Sequence, residues 1–320
     1  VAGGKALTGF GLPLSLSIVI CAGPFAWHNG RHLDVRTVMD REQYDRDGYC
    51  VLPGIYREAE IAELAEAARV LWGEAQHHPR TFRHGNVLFR IDPDPSVGRS
   101  LRFVQWAARV SDACARWRIE PRLLEIVRAL LGDDLKQIVN QMSWKPAGVS
   151  NGHAYHQDSR FRRPRSAYRD LGGCYVQTMI AIDRHAPQNG CLVVFPGSHR
   201  LGELALDPGG AVLGGRDDLA ELAAVGIDPA AAVALELEPG DVALWSPYLV
   251  HGSGSNASRD DRRAYLNSYV SAGAADRGEW ALRDGIPCEL GAPVLVDYDA
   301  LFDRPEPHYV DDPTLAAAGG

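Results

Sequence analysis

Three things are scarce in this chain: paired cysteines, positive charge and long apolar runs. Six cysteines (Cys21, Cys50, Cys114, Cys174, Cys191, Cys288) are scattered through 320 residues without a single C-x-x-C pair. That spacing supplies neither a zinc knuckle nor a disulfide framework, and it fits reduced thiols in a cytoplasmic protein. The formal net charge of −8 argues against a nucleic-acid surface as the main partner, although local basic patches remain open. No apolar run reaches the ~20 residues of a membrane-spanning helix, so no membrane partner is expected. The nearest approach, Leu12–Trp27, is broken by two prolines. Only Lys5 precedes it, which is little for a secretory leader, though Ala22 and Ala26 keep that reading open. Residues 1–36 are therefore read first as a dispensable or misassigned extension, then as a packed strand, and last as a signal peptide. No repeat or linker divides residues 37–320, which read as a single domain.

What is present is ordinary in bulk, with 46% apolar and 23% charged residues, enough for a proper core. Asp40 can cap a short helix through Gln43 that Gly48 stops. Tyr49–Leu52 reads as a strand closed by Pro53-Gly54. Ile61, Leu64, Ala68 and Leu71 recur at helical spacing and predict a helix over about 57–75. Leu123, Val127 and Leu130–Leu131 predict another over about 120–131. Short strands follow at 135–144, 153–158, 173–182, 191–195, 233–237, 241–245, 248–251 and 262–270, separated by turns such as Asn189-Gly190 and Pro239-Gly240-Asp241. Helices first and many short strands afterwards predict a mainly β fold with flanking helices, an antiparallel barrel or jelly roll. Its core spans about 135–270, with a Gly/Ala/Asp-rich insertion at about 202–232.

The chemistry concentrates at His156-Gln157-Asp158, answered by His251 and Arg262. Two imidazoles and a carboxylate form the facial set that holds Fe(II) and leaves positions open opposite. In an extended strand residues i and i+2 share a face, so His156 and Asp158 can clamp one ion while Gln157 looks away. His251 reads as the end of a strand, with Trp245, Pro247 and Leu249 on its face. Gly252-Ser253-Gly254 allows a tight turn there. A straight strand would carry Arg262 roughly 36 Å from His251 at ~3.3 Å per residue, so the loop over 252–261 has to reverse. Arg262 then returns beside the metal, where its planar fork can grip a carboxylate that the Ser253 hydroxyl also reaches.

The segments W-K-P (144–146), H-Q-D (156–158), N-G-C-L-V-V-F-P-G-S-H (189–199), P-G-D-V (239–242) and H-G-S-G-S-N (251–256) with R-R-A (262–264), together with D-G-Y-C-V-L-P-G (47–54), resemble the phytanoyl-CoA dioxygenase family. The resemblance covers about 40–270 and implies a double-stranded β-helix (cupin-like jelly roll) that binds Fe(II) and 2-oxoglutarate and consumes O2. It makes His156, Asp158 and His251 the iron ligands, and it pairs Arg262 with the distal carboxylate of 2-oxoglutarate, assisted by Ser253. Gln141 falls at a position near the cosubstrate. Where many relatives place a Trp, alternation points to Met179, with Gln177 and Tyr175 on the same face. Asp158 favours hydroxylation over halogenation, since halogenating relatives lack that carboxylate. Desaturation, epimerisation or cyclisation by the same chemistry stays open, as does a non-oxidative cupin-type enzyme using zinc or nickel. A catalytically inert ligand-binding jelly roll is the third class.

Five arginines (Arg160, Arg162, Arg163, Arg165, Arg169) crowd the residues after H-Q-D. They read either as a solvated loop balancing an acidic protein or as a basic lid for an anionic substrate. Trp245, Gln177, Met179, Arg160 and Arg162 are accordingly substrate-side candidates. Strand parity turns His153 away from the metal, and His199 reads as a turn residue. The substrate is expected to be a small organic molecule such as a secondary metabolite, an amino acid or an acyl derivative. Its identity and the oligomeric state are not readable from the residues.

Overall fold

Two faces of one sheet explain most of the sequence pattern. The computed structural model describes residues 26–28, 31–33, 39–84, 86–150, 152–206, 212, 219–292 and 308–309. The early helices α1 (Arg41–Asp47) and α2 (Glu58–Ala75) flank β1 (Tyr49–Leu52). Asp40 accepts from the Gln43 amide and Gly48 closes α1 at φ 81°, as the cap residues predict. Strands β2 (Phe82–His84), β3 (Val87–Asp94) and β4 (Gly98–Gln105) come next, followed by helices α3 (Asp112–Trp117) and α4 (Pro121–Leu131). The jelly-roll strands are β5 (Leu135–Lys145), β6 (His153–His156), β7 (Tyr175–Ala181), β8 (Leu192–Val194), β9 (Val233–Leu235), β10 (Val242–Trp245), β11 (His251–Ser253) and β12 (Arg262–Ser271). A last long strand, β13 (Glu279–Arg283), pairs with β5.

The chain steps between two antiparallel sheets. The larger carries the order β5-β12-β7-β10-β1 and extends through β4 and β3 at its other edge; the smaller runs β9-β8-β11-β6. Consecutive core strands cross between the sheets except β8 and β9, which share the smaller one, and this is the double-stranded β-helix. On β7 the residues Val176 and Ile180 face outward into the cluster formed with Leu64, Leu71, Leu123 and Val127 of α2 and α4. Met179 and Ala181 face inward against Leu192, Val194, Leu235 and Trp245. Burial on both faces removes the apolar–polar alternation that one-sided sheets show. Tyr265 and Tyr269 on β12 reach outward and donate to the carbonyls of Cys114 (2.6 Å) and Arg118 (2.5 Å), tying α3 to the sheet.

Several expected strands are shorter or displaced. The strand at 153–158 ends at His156, because Asp158 begins a single 3-10 turn, Asp158–Phe161. The 173–182 strand starts only at Tyr175, after a helical turn over Leu171–Cys174. The segment 248–251 is not a strand: a Ser246–Leu249 turn (3.0 Å) precedes β11, so His251 opens a strand rather than ending one. The hairpin β3–β4 and helix α3 had no counterpart in the sequence reading. Of residues 1–36, only 26–28 and 31–33 are described, and they pair with each other antiparallel; the apolar Leu12–Trp27 run otherwise lies outside the described residues. Within the 202–232 segment, 207–211 and 213–218 are likewise outside them, while Leu219–Ala224 is helical. Among the described residues no helix is long and apolar enough to cross a membrane.

Candidate metal centre

β6 and β11 are neighbours, and their register sets His156 directly across from His251. The rings lie 4.3 Å apart between centroids. Gln157 stays extended at φ −112° and ψ 138°, so Asp158 falls on the same side as His156 even though the strand has ended. Asp158 Oδ1 stands 4.0 Å from His156 Nε2 and 3.9 Å from His251 Nε2. One ligand atom from each residue lies within 4.8 Å of the others, and among the described residues this is the group of its kind.

Backbone carbonyls settle which ring nitrogen faces the centre. His156 Nδ1 meets Ala154 O at 2.8 Å, and His251 Nδ1 meets Leu249 O at 2.9 Å. A carbonyl only accepts, so each Nδ1 holds the proton and each Nε2 lone pair is left for a metal. Burial, and then the charge of His251, push the His156 imidazole down to about 3, which keeps it neutral at pH 7. Burial alone would raise the Asp158 carboxyl. His251, His156, Arg162 and a bond from Trp245 outweigh it, and the group stays an anion. Two imidazoles that each present Nε2, with a carboxylate beside them, fit a divalent transition metal.

Trp245 is the unforeseen support. Its Nε1 donates to Asp158 Oδ2 at 2.9 Å, leaving Oδ1 toward the histidines. Trp245 also borders the cavity, as expected of a substrate-side residue, but its clear contact is with the metal-side carboxylate. Gln157 does look away: it donates to Gly202 O (2.8 Å) and Tyr248 O (2.6 Å) and accepts from Leu204 N (2.7 Å).

The triad opens onto a cavity of about 580 Å³ whose wall includes Gln141, Gln177, Met179, Ser253 and Arg262. Arg262 is half-buried, and among the described residues no acid pairs with it. Its Nε has no hydrogen-bond partner, and Nη1 reaches only His185 Nδ1 at 3.4 Å. Burial pulls this guanidinium down to about 10, still a cation at neutral pH. A partly desolvated cation without its anion is costly and fits a ligand carboxylate. Ser253 Oγ accepts from Lys145 Nζ at 2.8 Å. Gln141 donates to Ser143 Oγ at 2.8 Å, and the Tyr175 hydroxyl donates to Gln177 Oε1 at 3.0 Å. The roles of Lys145 and His185 were missed, since a buried base beside a strand end leaves no mark in the local sequence.

His153 does not follow parity. A register shift between His251 and Ser253 brings His153 opposite Ser253, and its Nδ1 lies 3.3 Å from Ser253 Oγ. The bulge turns it to the cavity side, which strand alternation cannot anticipate. It is still outside the metal group. His199 behaves as a turn residue, with Nε2 3.2 Å from Asp45 O. The arginine run divides. Arg163 and Arg165 pair with Glu203 and Arg169 with Asp276, while Arg160, Arg162 and Arg163 border the cavity.

The sequence model of the phytanoyl-CoA dioxygenase family matches residues 44–264, which contain the triad, Ser253 and Arg262. The chain belongs to this family. As a phytanoyl-CoA dioxygenase family member it is an enzyme of the dioxygenase class. It is 27% identical over 242 residues to ectoine dioxygenase of Sphingopyxis alaskensis, spanning 72% of this chain and 73% of that one. The solved structure of EctD from S. alaskensis with 2-oxoglutarate and 5-hydroxyectoine shares its fold at TM-score 0.58 and 24% identity, covering 83% of this chain and 89% of that one. The 2-oxoglutarate-dependent epimerase SnoN from nogalamycin biosynthesis shares it at TM-score 0.53 and 22% identity, covering 82% and 96%. These family neighbours agree on the double-stranded β-helix.

Proposed function

We propose that this chain is an Fe(II)- and 2-oxoglutarate-dependent dioxygenase that hydroxylates an unactivated C–H of a small organic substrate, releasing succinate and CO2. One observation carries the reading: a two-imidazole and carboxylate triad shares its cavity with a half-buried guanidinium that has no acid partner among the described residues. His156, Asp158 and His251 would hold the iron. Arg262 and the Ser253 hydroxyl, itself held by Lys145, would take the distal carboxylate of 2-oxoglutarate, with Gln141 and Met179 along the same wall. The iron and 2-oxo acid, with O2, supply an oxidant strong enough to remove hydrogen from carbon. The protein's part is to orient the groups and keep bulk water from the cavity, and no side chain is needed as a general base.

Arg262 also argues against a non-oxidative cupin-type enzyme, which has no need for a cosubstrate carboxylate. Residues 37–320 form one catalytic domain in this reading. The five thiols among the described residues are unpaired, in keeping with a cytoplasmic setting. The test is succinate release from 2-oxoglutarate with Fe(II) and ascorbate, which Asp158→Ala should abolish. A wild-type protein that binds Fe(II) yet releases no succinate with or without candidate substrates would overturn the proposal. Product analysis then separates hydroxylation from desaturation, epimerisation or cyclisation by the same centre.

A further inference from the structure

The chain carries 41 acidic and 33 basic residues, yet its cavity has the opposite sign. Among the described residues six arginines border it (Arg90, Arg160, Arg162, Arg163, Arg262 and Arg277) against one carboxylate, Asp158. Four of the six are accounted for. Arg90 pairs with Asp92, Arg163 with Glu203, Arg277 donates to the Arg163 carbonyl, and Arg262 awaits the cosubstrate. Arg160 and Arg162 remain. Neither lies within ion-pair distance of an acid among the described residues, and Arg160 Nη1 and Arg162 Nε are buried without a hydrogen-bond partner. Arg162 lies 5.3 Å from the Tyr175 ring, and Arg160 stacks 5.6 Å from the half-exposed ring of Phe161, which itself leans on His156. Both guanidiniums therefore lie beside aromatic rings, Arg162 also bonded to the Tyr175 side chain, with no acid at ion-pair distance among the described residues.

Their position separates them from Arg262. Arg262 opens β12 opposite Lys145, while Tyr175 pairs with Val270, eight residues further along. At ~3.3 Å per residue those two backbone positions lie roughly 26 Å apart along the strand. Trp245, which holds Asp158, pairs with Gln177 between them. The metal triad thus sits between one cationic end suited to a cosubstrate and a second whose charge is met only at longer range by Asp158.

We propose that the substrate is a small carboxylic acid whose carboxylate is held by Arg160 and Arg162. The inference rests on the dioxygenase reading, which gives Arg262 to 2-oxoglutarate. Two guanidinium forks match a planar carboxylate. A cavity of about 580 Å³ that also houses the cosubstrate leaves no room for an enclosed coenzyme A ester. The carboxylate neutralises the surplus charge of the cavity wall, and its anchor near Tyr175 places the rest of the molecule toward the triad.

The test loads the protein anaerobically with Fe(II) and 2-oxoglutarate and titrates it with monocarboxylic acids of four to twelve carbons, each beside its primary amide. The readout is the shift of the iron–2-oxoglutarate absorption band. The proposal expects at least one acid to bind about tenfold or more tighter than its amide. Arg160→Gln/Arg162→Gln should weaken that acid by about tenfold to hundredfold while changing the 2-oxoglutarate Kd less than twofold. Arg169→Gln, in the same arginine run but paired with Asp276, serves as the control and should change neither. Amides binding as well as acids, a double variant with unchanged acid affinity, or no acid binding at 10 mM would each overturn it. Loss of the absorption band in the wild-type protein itself would instead refute the dioxygenase reading beneath it.

Discussion

Replacing Trp245 by Phe tests whether the indole organises the carboxylate of the triad. The substitution removes the single 2.9 Å bond to Asp158 Oδ2 and keeps most of the ring that packs against Leu192, Val194 and Ala243. A hydrogen bond to a charged acceptor contributes about 1.5–3 kcal/mol, or roughly tenfold to a hundredfold in an equilibrium constant. Outer partners of metal ligands usually cost about 10–100-fold in metal affinity when lost. Both routes give the same expectation: Fe(II), or Co(II) as an air-stable probe, should bind Trp245→Phe about 10–100-fold more weakly. Truncating the buried indole also costs the apo fold about 1–2 kcal/mol, so thermal unfolding of the metal-free proteins separates packing from coordination. An unchanged metal Kd in a folded variant would refute the argument that Trp245 holds Asp158 for the ion.

Arg262→Met should raise the melting temperature of the apoprotein slightly, since it removes a partly desolvated cation with no acid partner among the described residues, while cancelling the stabilisation that 2-oxoglutarate gives the wild type; lower apo stability together with intact 2-oxoglutarate binding would count against it. Gly252→Ala puts a Cβ 2.7 Å from Tyr155 Cδ1 and 2.8 Å from His153 O, so β6 and β11 have to part where they carry His156 and His251. A loss of about 1–3 kcal/mol in denaturant unfolding, with weaker metal binding, is expected. Glu60 is depressed to about 2: burial opposes ionisation, but bonds from Arg122 (2.8 Å) and from the Arg57 amide and side chain (both 3.0 Å) outweigh it. A lowered carboxyl pKa stabilises fully above its unfolded value of ~4.3 and less as pH falls towards 2. Glu60→Gln should therefore be destabilising at pH 7, with the gap to wild type closing by pH 2; a gap independent of pH would contradict the ion-pair origin.

How far the sequence could be read depended on the kind of signal. Asp40, Gly48 and the Ile61–Leu71 spacing act within a few residues, and α1 and α2 formed where they indicated. The strands of the jelly roll were found within a few residues at most ends, because turn residues such as Asn189-Gly190 are local too. Their faces were harder. β7 is buried throughout, so composition could not say that Met179 faces the cavity and Ile180 the helices; only alternation with the family motif did. Parity then failed at His153, where a bulge adds one residue to the count; at His251 a turn at Ser246–Leu249 replaces the expected strand, although Trp245 still shares its face. The triad was readable because its ligands carry distinctive chemistry. Trp245, Lys145 and His185 were not read as supports, since their partners lie 87, 108 and 77 residues away in the chain.

The central claim is that one cavity holds iron on His156, Asp158 and His251 and a 2-oxo acid on Arg262. Anaerobic addition of 2-oxoglutarate to the Fe(II)-loaded protein tests it most directly. The account predicts a visible charge-transfer band that saturates at one 2-oxoglutarate per iron, is absent in His156→Ala and His251→Ala, and needs far more 2-oxoglutarate in Arg262→Met. Iron binding at one equivalent with no such band, or a band that Arg262→Met leaves unchanged, would contradict it.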